Sequence, residues 1–323
     1  MKNPGKISFC VTFYNQAKFV RQSLDSILNM NIPCDYEILI GDDGSADETV
    51  NIVEQYIIEY PNIISLYVMP RDKNTHYNSI QRASANRLNL VSHSTGDYIM
   101  FLDGDDYFCS DDFVEDALNV FHNNKGTVAC AFNFTIKNKH SALINNVFKG
   151  KAGFLNTWKF IKNGGYIHVG AIVFKNIFDK MSIEKLANTE DFDDCLITFY
   201  VFQFGEVYFV DKSIYVYRQN ENGIWSSSSN IEQHLINAID YNIISSVAPI
   251  FTKSLRHRYS YDIRHVFLHR RELKTVLNAQ KTAYIKSVLK KTNNNLMLSV
   301  FNYDILSLYR KFLTRIKIFL GLY

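Results

Sequence analysis

The chain has 323 residues, of which 47% are hydrophobic and 21% charged, with a formal net charge of +3. That composition can bury a sizeable core, which excludes a disordered chain, and no apolar stretch approaches the roughly 20 residues of a membrane span. A polar Met1–Lys6 before the short apolar run Ile7–Val11, and five scattered cysteines with no CxxC pair, argue against a signal peptide, a zinc finger or a disulfide framework and for reduced thiols in the cytoplasm.

Ile7–Thr12 is rich in β-formers and predicts a buried strand that breaks at Tyr14-Asn15. Phe19, Val20, Leu24, Ile27 and Leu28 then recur at helical spacing. Tyr36–Ile40 predicts a second strand, ending in Asp42-Asp43-Gly44-Ser45. Ser45 with Glu48 three residues on reads as a capping box opening a helix through Val50, Val53 and Ile57. Ile63–Met69 is a third strand, closed by Pro70. A helix follows over Ile80–Val91, and Tyr98–Leu102 is a fourth strand running into Asp103-Gly104-Asp105-Asp106. Strands alternating with helices predict βαβ units and a mostly parallel sheet flanked by helices. Such sheets bind ligands beyond the carboxyl ends of their strands, where both acidic clusters fall.

Further strands are expected near Thr127–Phe134, His168–Phe174, Glu206–Val210 and Ile214–Tyr217, with a helix over Glu190–Phe202. Beyond residue 230 the pattern is helical to the end. From Lys253 onward 15 Lys/Arg face 3 Asp/Glu, while the rest of the chain holds 20 basic and 29 acidic residues. An acidic body suits metal binding and a basic tail suits an anionic partner. The stripe Phe301, Ile305, Leu308, Phe312, Ile316 and Phe319, flanked by Arg310, Lys311, Arg315 and Lys317, fits two roles equally. One is an interfacial helix on anionic lipid, making the protein peripheral at the inner face of the membrane. The other is a helix packed on the body of the protein or on a homodimer partner. Nucleic acid is disfavoured because the aromatics lie in the apolar stripe and not among the basic residues.

Asp103 and Asp105 stand at i and i+2 of an extended segment and so face one way. Two carboxylates there make a hard-oxygen site for Mn²⁺ or Mg²⁺, which would neutralise a departing diphosphate. Asp43 at the neighbouring strand end can accept a hydrogen bond from a base N–H, and Tyr14 can stack on a nucleobase. Each feature alone is an ordinary turn or core residue; their order gives them weight.

Taken together, Val11-Thr12-Phe13-Tyr14-Asn15, Asp42-Asp43-Gly44-Ser45 and Thr95-Gly96-Asp97-Tyr98-Ile99-Met100-Phe101-Leu102-Asp103-Gly104-Asp105-Asp106 resemble the signature of family 2 glycosyltransferases with the A-type (GT-A) fold. The resemblance covers roughly residues 5–220. It implies a GT-A-like catalytic domain over 1–225, with a nucleotide-binding half at 1–110 and an acceptor-binding half at 111–225, followed by a basic helical region over 230–323. By resemblance Thr12, Tyr14 and Asp43 hold the base, and Asp103 and Asp105 take ribose and metal. Arg87, in Ala85-Asn86-Arg87-Leu88, assists with the nucleotide, with Arg82 as a competitor. Thr189-Glu190-Asp191-Phe192 resembles the family's Glu-Asp pair, which makes Asp191 the general base. At an unperturbed value near 3.9 it would be ionised at neutral pH. Asp193 and Asp194 read as helix-start acids favoured by the dipole.

Tyr217-Arg218 resembles a pair preceding a flexible loop. Gly223–Ser229 is then either a lid carrying Trp225 as a sugar platform or a Ser-rich linker, and His168 lines the acceptor cleft or is structural. The implied activity is inverting transfer of one sugar, since the chain lacks the Gln-x-x-Arg-Trp segment of processive members. The donor is a UDP-sugar, and the acceptor a saccharide or lipid-linked saccharide in bacterial surface polysaccharide synthesis. Two rivals stand beside it. A nucleotidyltransferase would carry a glycine-rich phosphate loop, and Phe13–Lys18 has no glycine. A glycan-binding module would not need the metal carboxylates or Asp191.

Overall fold

The computed structural model describes residues 5–276 apart from 73–74, 76–77, 139, 141, 145–149 and 220–227, and beyond 276 only 282, 283 and 286. Trp225, most of the expected lid and the stripe from Phe301 to Phe319 lie outside the described residues.

Among the described residues ten strands form one sheet: β1 (Lys6–Phe13), β2 (Asp35–Asp42), β3 (Ile64–Val68), β4 (Tyr98–Asp103), β5 (Tyr107–Phe108), β6 (Thr127–Lys137), β7 (Leu143–Ile144), β8 (Gly153–Phe154), β9 (Ile172–Lys175) and β10 (Glu206–Arg218). Their order is β3-β2-β1-β4-β9-β6-β10-β5, with β7 added on β6 and β8 on β10. The first four strands run parallel, β9 lies antiparallel between β4 and β6, and β6 and β10 are parallel again. Helices cover the sheet: α1 (Ala17–Leu28), α2 (Thr49–Glu59), α3 (Ser79–His93), α4 (Phe113–Asn123), α5 (Thr157–Lys162), α6 (Lys180–Ala187) and α7 (Asp194–Phe202). Then follow α8 (Asn230–Val247), α9 (Thr252–Leu268) and α10 (Arg270–Val276).

The physical reason for the parallel half is legible strand by strand. In β1 and β4 consecutive side chains are buried on both faces (Phe9, Cys10 and Val11; Ile99 to Leu102), as expected of parallel strands covered on both sides by helices. The helix α1 buries Val20, Leu24 and Ile27 on one stripe. Ile231, Leu235, Ile239 and Ile244 of α8, and Leu255, Ile263 and Val266 of α9, belong to the same hydrophobic cluster as the sheet. No helix among the described residues is long and apolar enough to cross a membrane, and all five cysteines are free.

Four local expectations need correcting. The helix α2 begins at Thr49, and Ser45 does not cap it. Its hydroxyl donates to Asp42 Oδ2 at 2.5 Å while its amide donates to Asp42 Oδ1 at 2.7 Å, so Asp42 closes the turn that Ser45 was expected to close. The helix expected from Glu190 begins at Asp194, with Asp193 as its N-cap, because Glu190 takes the left-handed conformation (φ 57°) that stops a helix from passing through it. Val169–Ala171 is a single 3-10 turn before β9, not the start of the strand. The two strands expected at 206–217 are one strand, β10, interrupted by irregular register near Val210–Tyr215, a bulge that keeps both halves in one ladder.

Candidate active site

Parallel pairing sets the frame of the site. Thr12 of β1 stands opposite Gly41 of β2 on one side and Asp103 of β4 on the other. The loops after these three strands therefore leave one edge of the sheet side by side. Both acidic turns are tied to the central strand, since Asp43 N donates to Phe13 O at 2.9 Å and Gly104 N to Thr12 O at 2.8 Å. Glycine is required twice. Gly44 has φ 73°, and a Cβ on Gly104 would meet the Phe13 ring at 2.1 Å and Thr12 O at 2.6 Å, so the Asp103–Asp106 turn can lie against β1 only without a side chain there.

Around Asp43 the structure gathers two arginines. Arg71 and Arg82 both pair with the Asp43 carboxylate, and Arg71 Nε also donates to the Asp43 carbonyl at 2.6 Å. The Arg71 guanidinium lies 4.0 Å from the Tyr14 ring centre, so one face of this exposed ring is covered by a cation. Arg71 was not singled out in the sequence. It lies in a loop after β3 with no periodicity to mark it, and only the fold of that loop over β2 brings it here.

At the second turn, Arg87 Nη2 donates to both oxygens of Asp103, at 2.8 and 3.0 Å, and Thr12 Oγ1 donates to Oδ1 at 3.2 Å. Burial alone would raise Asp103, but the Arg87 charge, helped by His168 and the Thr12 hydroxyl, holds it below the ordinary carboxylate value. The two candidate arginines thus divide the work: Arg82 serves Asp43 and Arg87 serves Asp103. Arg87 also reaches Asp194 through Nη1 at 2.9 Å. Asp194 in turn lies 3.2 Å from His168 Nε2. His168 Nδ1 accepts the Gly170 amide at 3.2 Å, which leaves Nε2–H to donate to Asp194. Asp194 therefore does more than favour a helix start, as the sequence had suggested. Asp193 keeps the capping role, accepting from the Leu196 amide at 2.7 Å.

The helix α3 organises the whole site. Asn86 donates to Gly41 O at 2.9 Å, Gln81 to Glu190 Oε2 at 2.7 Å, and Ser84 Oγ accepts from Phe192 N at 2.8 Å. One helix therefore fixes β2, both acidic turns and the segment carrying Glu190 and Asp191. Asp191 is buried, 3% exposed. Burial raises its carboxyl, and the Asp240 hydrogen bond and the Arg87 charge pull the other way.

The remaining residues separate into two groups. One carboxylate oxygen each from Asp103 and Asp106 and one ring nitrogen of His168 lie within 4.8 Å of one another; Asp105, expected as the partner of Asp103, is outside that trio. Asp106 is fully buried and already engaged by Tyr215 Oη–H and by the Arg218 amide at 2.7 Å. Burial and the nearby Asp105 and Asp103 charges push it well above the carboxylate range. Asp105 is half-buried. The oxygen donors on this turn suit a hard divalent ion in type. Arg218, expected just ahead of a flexible loop, ends β10 and lies beside this turn. Its side chain is packed under the turn, donating to Asp105 O and to Gln22 Oε1, and its guanidinium lies 4.5 Å from the Tyr107 ring centre and 4.9 Å from that of Phe19.

Removing Arg87 tests this wiring. Arg87→Leu leaves two largely buried carboxylates uncompensated, a loss of about 3 kcal/mol. We expect the thermal midpoint to fall by roughly 5–10 °C. An unchanged midpoint in calorimetry would show that Asp103 and Asp194 do not depend on it.

Comparison with known proteins agrees with this geometry. The family described as "Glycosyl transferase family 2" matches residues 8–182, just over half of the chain. Over 107 residues the chain is 35% identical to poly(ribitol-phosphate) beta-glucosyltransferase of Bacillus spizizenii, covering 33% of this chain and 16% of that protein. Over 103 residues it is 30% identical to poly(ribitol-phosphate) beta-N-acetylglucosaminyltransferase TarS of Staphylococcus aureus, covering 32% and 16%. The aligned stretch is thus about a sixth of these relatives' length. Among solved structures, S. aureus TarS 1-349 in complex with UDP-GlcNAc superposes with a TM-score of 0.59 at 16% identity, over 89% of this chain and 80% of that one. The mannosyltransferase PcManGT from Pyrobaculum calidifontis, in complex with GDP-Man and Mn²⁺, gives 0.52 at 14% identity, over 99% and 81%. These two likenesses concern the fold. The mixed sheet, the paired acidic turns at one edge of its parallel half and the family match lead to one conclusion: this chain is a member of glycosyltransferase family 2.

Proposed function

We propose that the protein transfers a single sugar, with inversion, from a UDP-sugar to a hydroxyl of a saccharide or lipid-linked saccharide during assembly of a bacterial surface polymer. Thr12, Tyr14, Asp43, Arg87 and Asp103 hold the nucleotide, with Arg71 and Arg82 setting the charge around Asp43. Asp105 with Asp103 holds Mn²⁺ or Mg²⁺, which when bound supplies charge neutralisation for the leaving diphosphate. Asp191 takes the proton of the acceptor hydroxyl. The acceptor oxygen forms a bond to the anomeric carbon as the bond from that carbon to the phosphate oxygen breaks, its electron pair leaving on UDP. Glu190 and His168 stand on the acceptor side, Glu190 fixed by Gln81 and His168 by Asp194.

The observation that carries this reading is Arg87, which pairs with Asp103 of the first half and with Asp194, three residues after Asp191, in the second. It couples the nucleotide turn to the segment of the base. The poly(ribitol-phosphate) substrate in the names of the relatives and the UDP-GlcNAc bound by TarS support a surface polymer and a UDP donor. The basic tail from Lys253 onward is proposed to meet an anionic membrane or a second copy of the chain.

A thermal-shift screen of nucleotide sugars, with and without Mn²⁺, tests the proposal, because a ligand that binds only the folded state raises its midpoint. We expect UDP and UDP-sugars to stabilise the protein in Mn²⁺ and to lose most of that effect in EDTA. Stabilisation by GDP-sugars alone would reassign the donor, and no stabilisation by any nucleotide would overturn the reading.

A further inference from the structure

The helix α8 carries no chemistry in the sequence reading, yet it places Asp240 in the interior, 4% exposed. Asp240 shares a hydrogen bond with Asp191, and Asp193 brings a third carboxylate oxygen, all three within 4.8 Å of one another. An ionised carboxylate only accepts hydrogen bonds. A hydrogen bond between two carboxyl groups therefore contains a proton, and three carboxyls this close, Asp191 and Asp240 buried and Asp193 half-buried, do not all ionise. The surroundings favour one arrangement. The Arg87 charge acts on Asp191 and stabilises its ionised form, whereas burial and the charges of Asp191, Asp193 and Asp262 act against an ionised Asp240. Asp193 is occupied by the Leu196 amide.

We infer that Asp240 is a positioning residue for the base: its carboxyl O–H donates to one oxygen of Asp191, fixes that side chain and leaves the other oxygen for the acceptor hydroxyl. The inference rests on the reading of Asp191 as the base. The pair holds one proton before transfer and two after it, the second coming from the acceptor O–H as the glycosidic bond forms. The donor is placed by the core and not by a loop. The helix α8 starts at a capping box of Ser229 and Glu232, and Ala238, Ile239 and Tyr241 around Asp240 are buried. The helical region after residue 230 thereby becomes part of the catalytic unit.

Two substitutions separate positioning from simple packing. Asp240→Asn keeps an N–H donor at nearly the same volume, and Asp240→Leu removes it. We would measure UDP release from UDP-glucose and UDP-GlcNAc, with water or a saccharide as acceptor, together with the donor KM and the thermal midpoint. Asp240→Asn is expected to retain at least about a third of wild-type kcat, and Asp240→Leu to lose tenfold or more, the size of a hydrogen bond to a charged group, with donor KM unchanged in both. Wild-type turnover in Asp240→Leu, or equal losses in the two variants, would overturn the inference. If Asp240→Leu does not fold, Asp240→Ala replaces it in the same comparison. Asp191→Asn keeps the two questions apart. Full turnover in that variant removes Asp191 as the base, whereas an inactive Asp191→Asn beside a normal Asp240→Leu removes only Asp240.

Discussion

Asp191→Asn is expected to bind the donor as the wild type does and to lower turnover by about 10²–10⁴-fold, the usual contribution of a general base. The side chains differ by one heavy atom, and the segment is held independently of the carboxylate. Its backbone is anchored by Phe192 N on Ser84 and by the Asp191 amide on Thr189 Oγ1 at 3.3 Å. The two acidic turns keep their own partners, Arg82 on Asp43 and Arg87 on Asp103. Loss of kcat with an unchanged donor dissociation constant is therefore the signature of a missing base. Turnover within a factor of about three of the wild type would place the base elsewhere.

Asp105→Ala is expected to remove the metal dependence of UDP binding. By titration calorimetry the affinity in Mn²⁺ should fall at least about a hundredfold, which is about 2.8 kcal/mol, to the value the wild type shows in EDTA. The turn itself should survive, because Arg218 holds the Asp105 backbone carbonyl and Asp106 is anchored to Tyr215 and to the Arg218 amide. Asp106→Ala offers the opposite result. It removes a buried side chain that organises the turn, so its expected effect is a lower thermal midpoint. A manganese effect that persists in Asp105→Ala would remove Asp105 from the metal site.

Much of the fold and of the candidate site was written in the sequence, and the pattern of success follows the range of the interactions involved. β1, β2, β4 and α1 were visible because strands buried on both faces and amphipathic helices impose periodicity on neighbouring residues. The strand-end placement of Thr12, Asp43 and Asp103 came with them, since a parallel sheet leaves its carboxyl ends on one edge. Local chemistry was less secure where two hydroxyl or carboxyl groups could make the same turn. Ser45 lost the capping role to a turn closed by Asp42, and α7 begins at Asp194 behind the N-cap Asp193, not at Glu190.

The sequence by itself determined the class of sheet, the family and the identity of the two acidic turns, all of which depend on short local segments and on their order along the chain. Only the tertiary structure decided who partners whom. Arg71 and Arg82 meet at Asp43, Arg87 joins Asp103 to Asp194, Arg218 lies under the Asp103–Asp106 turn, and Asp240 of α8 reaches Asp191. These contacts span from 16 to 113 residues and link separate elements, and a charged side chain carries no periodic mark of its distant partner. What selects them is the cost of burying a charge without a counter-charge or a shared proton, a constraint felt only once the core has closed around it.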